Sequence, residues 1–146
     1  MTAMRDIWLR MKAALRLARQ SINERLAGLN LTGAEGDILY HLLAAGGGLS
    51  QEQLAERLDV GKGAISRTVD SLVAKGFAAR ARRTDDARAY RVTPTAQGLL
   101  HRAAIERAYH AVYEIAKDGI SEAELAGLAR MLERVAENLD TRENER

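Results

Sequence analysis

The sequence predicts a mainly α-helical fold carrying one small β-hairpin. Three observations lead there. Apolar residues make up 47% of the 146 residues but aromatics only 4%, so the core is mostly Leu, Ala, Ile and Val, which suits packed helices better than a strand-rich sandwich. The chain has one proline, and long helices tolerate almost none. Apolar residues also recur at spacings of three and four along most of the chain, with a change of character between Phe77 and Thr93.

Taken in order, Asp6 to Leu26 reads as an amphipathic helix with Ile7, Met11, Leu15, Ala18, Ile22 and Leu26 on one stripe. Gly28 and Asn30 end it. Thr32 caps a second helix, with Glu35 at the capping-box position and Ile38, Leu39, Leu42 and Leu43 on its apolar face. Gly46-Gly47-Gly48 breaks the chain. Ser50 and Gln53 then open a short third helix through Leu58, and Asp59-Val60-Gly61 forms a tight turn. A fourth helix is expected from Lys62 to Lys75, burying Ile65, Val69, Leu72 and Val73, with Gly76 just past its end. Phe77–Ala81 and Arg88–Thr93 are expected to form two short strands around a polar tip, closed by Pro94. Thr95 caps a long helix expected to run unbroken from Ala96 to Lys117. Asp118-Gly119 breaks it, and Ser121 with Glu124 starts a last helix lined by Leu125, Leu128, Leu132, Val135 and Leu139.

Composition narrows the function classes. The chain has no cysteine, which excludes disulfides, thiolate metal sites and thiol redox switches. No apolar run reaches the length of a membrane span, and Met1–Arg10 lacks a signal-peptide h-region. A cytoplasmic protein without membrane contact is expected. The net charge of +2 hides an uneven distribution. Between Lys62 and Arg91 there are eight basic residues against three acidic ones, whereas Leu31–Gly61 is acidic. Charge concentrated in one segment is the electrostatic footprint of a surface that binds a polyanion.

Two helices joined by a short turn and followed at once by a basic hairpin match a winged helix-turn-helix, a fold suited to duplex DNA. The major groove admits a helix and displays distinguishable base edges. On the fourth helix Lys62, Gly63, Ala64, Ser66, Arg67 and Asp70 lie opposite the apolar stripe, with Thr68 beside them. Arg67 can donate bidentately to guanine or hold a phosphate; Ser66, Thr68 and Lys62 suit phosphate or base contacts, and Gly63 permits close approach. At the hairpin, Arg82, Arg83 and Arg88 are candidates for a minor groove, with Asp86 orienting Arg88.

These residues resemble the helix-turn-helix of the MarR family: Leu31-Thr32, Gln53-Leu54-Ala55-Glu56-Arg57-Leu58, Ile65 to Leu72, and Lys75-Gly76-Phe77 leading to the wing. Asp86-Ala87-Arg88-Ala89 is similar to its D-x-R-A wing motif, and Thr95-Ala96-Gln97-Gly98 to its T-x-x-G entry to the next helix. Gly36 stands where the family often has a bulky aromatic, Pro94 where a leucine is common, and Gly63 where a serine is common.

The resemblance implies one MarR-like domain over residues 1–146. In it, residues 31–95 form the DNA-binding lobe, and 1–30 and 96–140 are dimerisation helices. It implies a homodimer on a pseudo-palindromic operator, acting as a repressor that a small aromatic or phenolic ligand releases. Candidate ligand residues are Trp8, Met11, Leu15, Tyr40, His41, Tyr109 and Tyr113.

Other classes have less support. His41, His101 and His110 are too scattered for a metal site, and no cofactor motif is present. Nothing pairs a nucleophile with a base, so an enzyme is not expected. The rival reading is a winged-helix protein-interaction module whose basic wing meets an acidic protein.

Overall fold

Four of the helix starts are set by side chains that satisfy otherwise unpaired backbone N–H groups. A computed structural model describes residues 1–82 and 90–143, with side-chain surroundings up to residue 140. Its elements are α1 (Met4–Ala27), α2 (Gly33–Ala45), β1 (Leu49–Ser50), α3 (Gln51–Leu58), α4 (Lys62–Ala74), β2 (Ala78–Arg82), β3 (Tyr90–Pro94), α5 (Ala96–Leu100), α6 (Arg102–Ala116) and α7 (Glu122–Glu143). Thr32 and Glu35 close a reciprocal capping box on α2, as do Ser50 and Gln53 on α3. Thr95 Oγ1 accepts from the Gly98 N–H, and Ser121 and Glu124 bond reciprocally before α7. All four caps are at the expected positions. Gly76 adopts φ +84°, with its N–H donating to Val73 O and that of Phe77 to Leu72 O. This paired pattern ends α4 as a glycine at C′ should.

The mainly helical fold with a small hairpin stands as expected, with three differences. First, β1 joins the hairpin to make a three-stranded antiparallel sheet in the order β1-β3-β2, pairing Leu49 with Val92 and Ser50 with Arg91. A two-residue strand formed by distant pairing leaves no periodic trace in the sequence.

Second, the helix expected to run through residues 96–117 is interrupted at His101. The His101 N–H donates to Gly98 O, while its ring Nδ1 lies 2.8 Å from Gln97 O, the carbonyl its own N–H would otherwise take.

Third, some apolar stripes stay open. On α1 only Leu26 is fully buried; Ile7, Trp8 and Leu15 are exposed. Val73 on α4 and Leu128, Leu132 and Leu139 on α7 are exposed as well. Periodicity reports that a face is apolar, not that its own chain covers it.

The chain forms two compact units, Met1–Val112 and Tyr113–Arg146. The core of the first draws Leu26 from α1, Ile38, Leu39 and Leu42 from α2, and Leu54 from α3. Ile65, Val69 and Leu72 come from α4, with Phe77, Val92 and Ile105 completing it. This clamps α3, α4 and the sheet into one lobe. Gly98 sits where that lobe meets α5: a Cβ there would stand 2.5 Å from the Phe77 carbonyl oxygen, which already accepts from the Thr95 N–H. Backbone cannot swing aside as a side chain can. Gly98→Ala is therefore expected to destabilise by about 2 kcal/mol, lowering Tm by roughly 4–8 °C in a thermal melt.

Candidate nucleic-acid interface

Helices α3 and α4 are joined by a turn in which Asp59 takes the left-handed conformation (φ 52°) and the Val60 N–H donates to Ala55 O. With Ile65, Val69 and Leu72 buried beneath, α4 presents Lys62, Gly63, Arg67 and Asp70 to solvent, with Ala64, Ser66 and Thr68 half-buried at the margins. All seven expected α4 residues thus fall on or beside one open face.

Their commitments differ. Lys62 Nζ lies 3.3 Å from Glu52 Oε1, an exposed pair worth under about 1 kcal/mol that a phosphate can displace. Thr68 Oγ1 donates to Ala64 O at 2.9 Å. Asp70 Oδ1 lies 2.6 Å from Arg80 Nη2, which also donates to the Ser66 carbonyl at 3.3 Å. Arg67 has no hydrogen-bond or ion-pair partner among the described residues, and its Nη1 lies 3.5 Å from where a Gly63 Cβ would stand. On the wing, Arg82 reaches over Tyr90, with its guanidinium carbon 5.7 Å from the ring centroid and Nε 3.4 Å from the hydroxyl. Arg83, Asp86 and Arg88 lie outside the described residues.

Between the start of α2 and the open face of α4 runs a cleft of about 290 Å³, lined by Thr32, Glu35, Ala64, Arg67, Thr68, Ser71 and Lys75. Its floor is Glu35, 2% exposed. One carboxylate oxygen accepts from Lys75 Nζ (2.8 Å) and the Thr32 N–H (2.9 Å), the other from Ser71 Oγ (2.8 Å). Burial alone would push this carboxyl's pKa up. The bonds from Lys75, the Thr32 backbone, Ser71 and the Thr32 hydroxyl outweigh it and hold the pKa below the usual glutamate value. Lys75 Nζ also donates to Asn30 O at 3.0 Å. The far end of α4 is thereby tied to the start of α2.

Sequence reading took Glu35 only as a cap and passed over Arg80. The available signal for the first was Ser71 and Lys75 sharing an i,i+4 face with Arg67. For Arg80 it was a cation at an inward position of a strand.

The expected ligand residues divide. Tyr40, His41 and Tyr109 gather around Asp37. The two tyrosine rings are 4.7 Å apart, Tyr109 Oη donates to Asp37 Oδ1 at 2.6 Å, and His41 Nδ1 lies 2.9 Å from Asp37 O. Arg19 pairs with the other oxygen of Asp37 at 2.6 Å. Trp8 and Leu15 are exposed and Met11 is half-buried, while Tyr113 is exposed in the second unit. At Gly36 a Cβ would collide with Leu26 Cδ1 and stand 3.0 Å from Tyr109 Oη, so Leu26 fills the room a bulkier residue would need. Among the described residues no group of three metal-ligating side chains occurs, and no helix is long and apolar enough to cross a membrane.

A helix-turn-helix whose second helix leads into a small antiparallel sheet with a basic hairpin defines the winged helix-turn-helix class. A sequence model described as the MarR family matches residues 27–89, the segment that holds α2 to β2 and the start of the wing. Solved structures agree over nearly the whole length. The transcriptional regulator SlyA is 25% identical (TM-score 0.83), with 92% of this chain and 94% of that one covered. A MarR protein from Peptoclostridium difficile is 20% identical (TM-score 0.84), with 97% and 92% covered. A MarR-family transcriptional regulator from Listeria monocytogenes, complexed with a 26mer DNA, is 24% identical (TM-score 0.77), with 95% and 89% covered.

Proposed function

We propose that this protein is a sequence-specific, DNA-binding transcriptional regulator, not an enzyme, that acts in the cytoplasm as a homodimeric repressor released by a small aromatic or phenolic ligand. The observation that carries the DNA reading is the open face of α4: a recognition-type helix with an exposed arginine at its centre that has no partner among the described residues, half-buried hydroxyls at its edge and a basic strand pair alongside. Such a face can enter the major groove and read base edges while phosphates are held around it. The Listeria relative's 26mer DNA supports the same partner.

The homodimer is supported by apolar surface that each unit leaves open by itself, Ile7, Trp8, Leu9 and Leu15 on α1 and Leu128, Met131, Leu132 and Leu139 on α7. Two-fold pairing would cover such faces and set two recognition helices about one turn of DNA apart. The ligand reading is supported by the aromatic cluster of Tyr40, His41 and Tyr109 around Asp37, which Arg19 of α1 also reaches.

The test is a mobility shift against the DNA upstream of the protein's own gene. Binding is expected in the nanomolar range, on the order of a thousandfold or more tighter than to random duplex, with a steep negative log–log dependence on salt. Equal affinity for both duplexes would remove the regulator reading. Sedimentation at micromolar concentration is expected to give twice the chain mass, and a monomer there would remove the two-half-site geometry.

A further inference from the structure

Arg80 occupies an unusual place for a cation. In the sheet register it lies across from Val92, which lies across from Leu49, and both of those are buried. Residues in one cross-strand row share a face, so the Arg80 side chain leaves the sheet on its inward side, toward the helices. There two of its three nitrogens are engaged: Nε donates to Gln51 Oε1 (3.0 Å) on the first residue of α3, and Nη2 to the Ser66 carbonyl (3.3 Å) and Asp70 Oδ1 (2.6 Å) on α4. One guanidinium on a wing strand therefore touches both helices of the helix-turn-helix. Asp70 supplies its counter-charge from a position three residues beyond Arg67, on the open face of α4. An acid there works against a polyanion. Its pairing with Arg80 gives it a role other than contact with DNA.

We propose that Asp70 and Arg80 are a positioning pair: through Arg80, Asp70 fixes the wing strands relative to the recognition helix and so contributes to sequence discrimination without touching DNA. This rests on the DNA-binding reading above and deepens it. It also changes the role of Asp70 from an expected DNA contact to a support. The helix and the wing must enter their grooves together, so a wing that is free to tilt costs specific binding. Binding to random duplex is set almost wholly by charge and gains when an acid leaves the surface.

The two effects have opposite signs, which makes the test decisive. In Asp70→Ala, affinity for the operator is expected to fall about tenfold, the size of one lost charge-assisted bond, while affinity for random duplex rises. Alanine is the better helix former, so α4 itself is not weakened. The isosteric Asp70→Asn is expected to shift both affinities in the same directions by less, and serves if the alanine variant does not fold. Arg80→Lys keeps the charge but loses the fork; it is expected to lower operator affinity similarly, and Asp70→Ala added to it is expected to cost nothing further there. If Asp70→Ala tightens operator and random duplex in parallel, or if the two substitutions are additive, the positioning role is overturned. Failure of the regulator reading would show differently, as a wild-type protein with no operator preference to lose.

Discussion

Arg67→Ala is expected to weaken operator binding by on the order of a hundredfold or more while leaving the fold intact. The residue is exposed and has no partner among the described residues, so removing it should move stability by no more than about 0.5 kcal/mol. Each bidentate arginine–guanine contact is worth roughly 1–3 kcal/mol, and a two-fold dimer loses two of them. Gly63 one turn earlier leaves the guanidinium room to lie along the helix toward its N-terminus. Titrations of operator and random duplex, with a thermal melt alongside, check this. The loss is expected to be larger on the operator than on random duplex. A uniform loss on both, with the salt slope falling by about 1 per arginine, would instead make Arg67 a phosphate contact. Unchanged affinity would move the contact surface away from α4.

Glu35→Gln is expected to cost about 2 kcal/mol of stability at neutral pH. The carboxylate is almost fully buried and accepts from Lys75, Ser71 and Thr32. An amide keeps one accepting oxygen for Lys75 and the Thr32 N–H but loses the charge that pairs with Lys75, and its NH2 obliges the Ser71 hydroxyl to turn from donating to accepting. The cost should depend on pH in a defined direction. Because the folded-state pKa of Glu35 lies below the usual value near 4.5, the unfolded chain binds the proton more readily. The stabilisation is therefore fully present above that usual value and is lost as pH falls through the lower, folded value. Denaturant melts of wild type and Glu35→Gln are expected to differ most at about pH 6–7, and the gap to narrow as pH falls below the usual glutamate value. A gap that stays constant across that range would mean that the carboxylate's charge is not what holds Lys75 and Ser71 against α2.

Much of this molecule is local in origin. Thr32 with Glu35, Ser50 with Gln53, Thr95 before Gly98 and Ser121 with Glu124 each act over three residues, so each helix start was legible from its own few letters. The same holds for Gly76, where only a left-handed turn ends α4 and turns the chain into the sheet. The open face of α4 was legible too, since burying Ile65, Val69 and Leu72 at helical spacing leaves Gly63, Arg67 and Asp70 no other side to occupy.

What only the tertiary structure decided is the state of each charge and of each apolar stripe. Asp70 and Arg67 look equally available in the sequence, yet a strand residue ten positions beyond Asp70 engages its carboxylate, whereas the guanidinium of Arg67 has no partner among the described residues. Glu35 reads as a cap and is in addition the buried anchor of Ser71 and Lys75, some forty residues away. Likewise β1 exists because Leu49 and Ser50 meet Val92 and Arg91 across the fold, and the stripe of α1 is apolar without being covered. The physical reason is common to all of these. Periods and caps are set by backbone geometry within a turn or two, whereas a side chain's partner is set by which distant segments the core brings within about 3 Å.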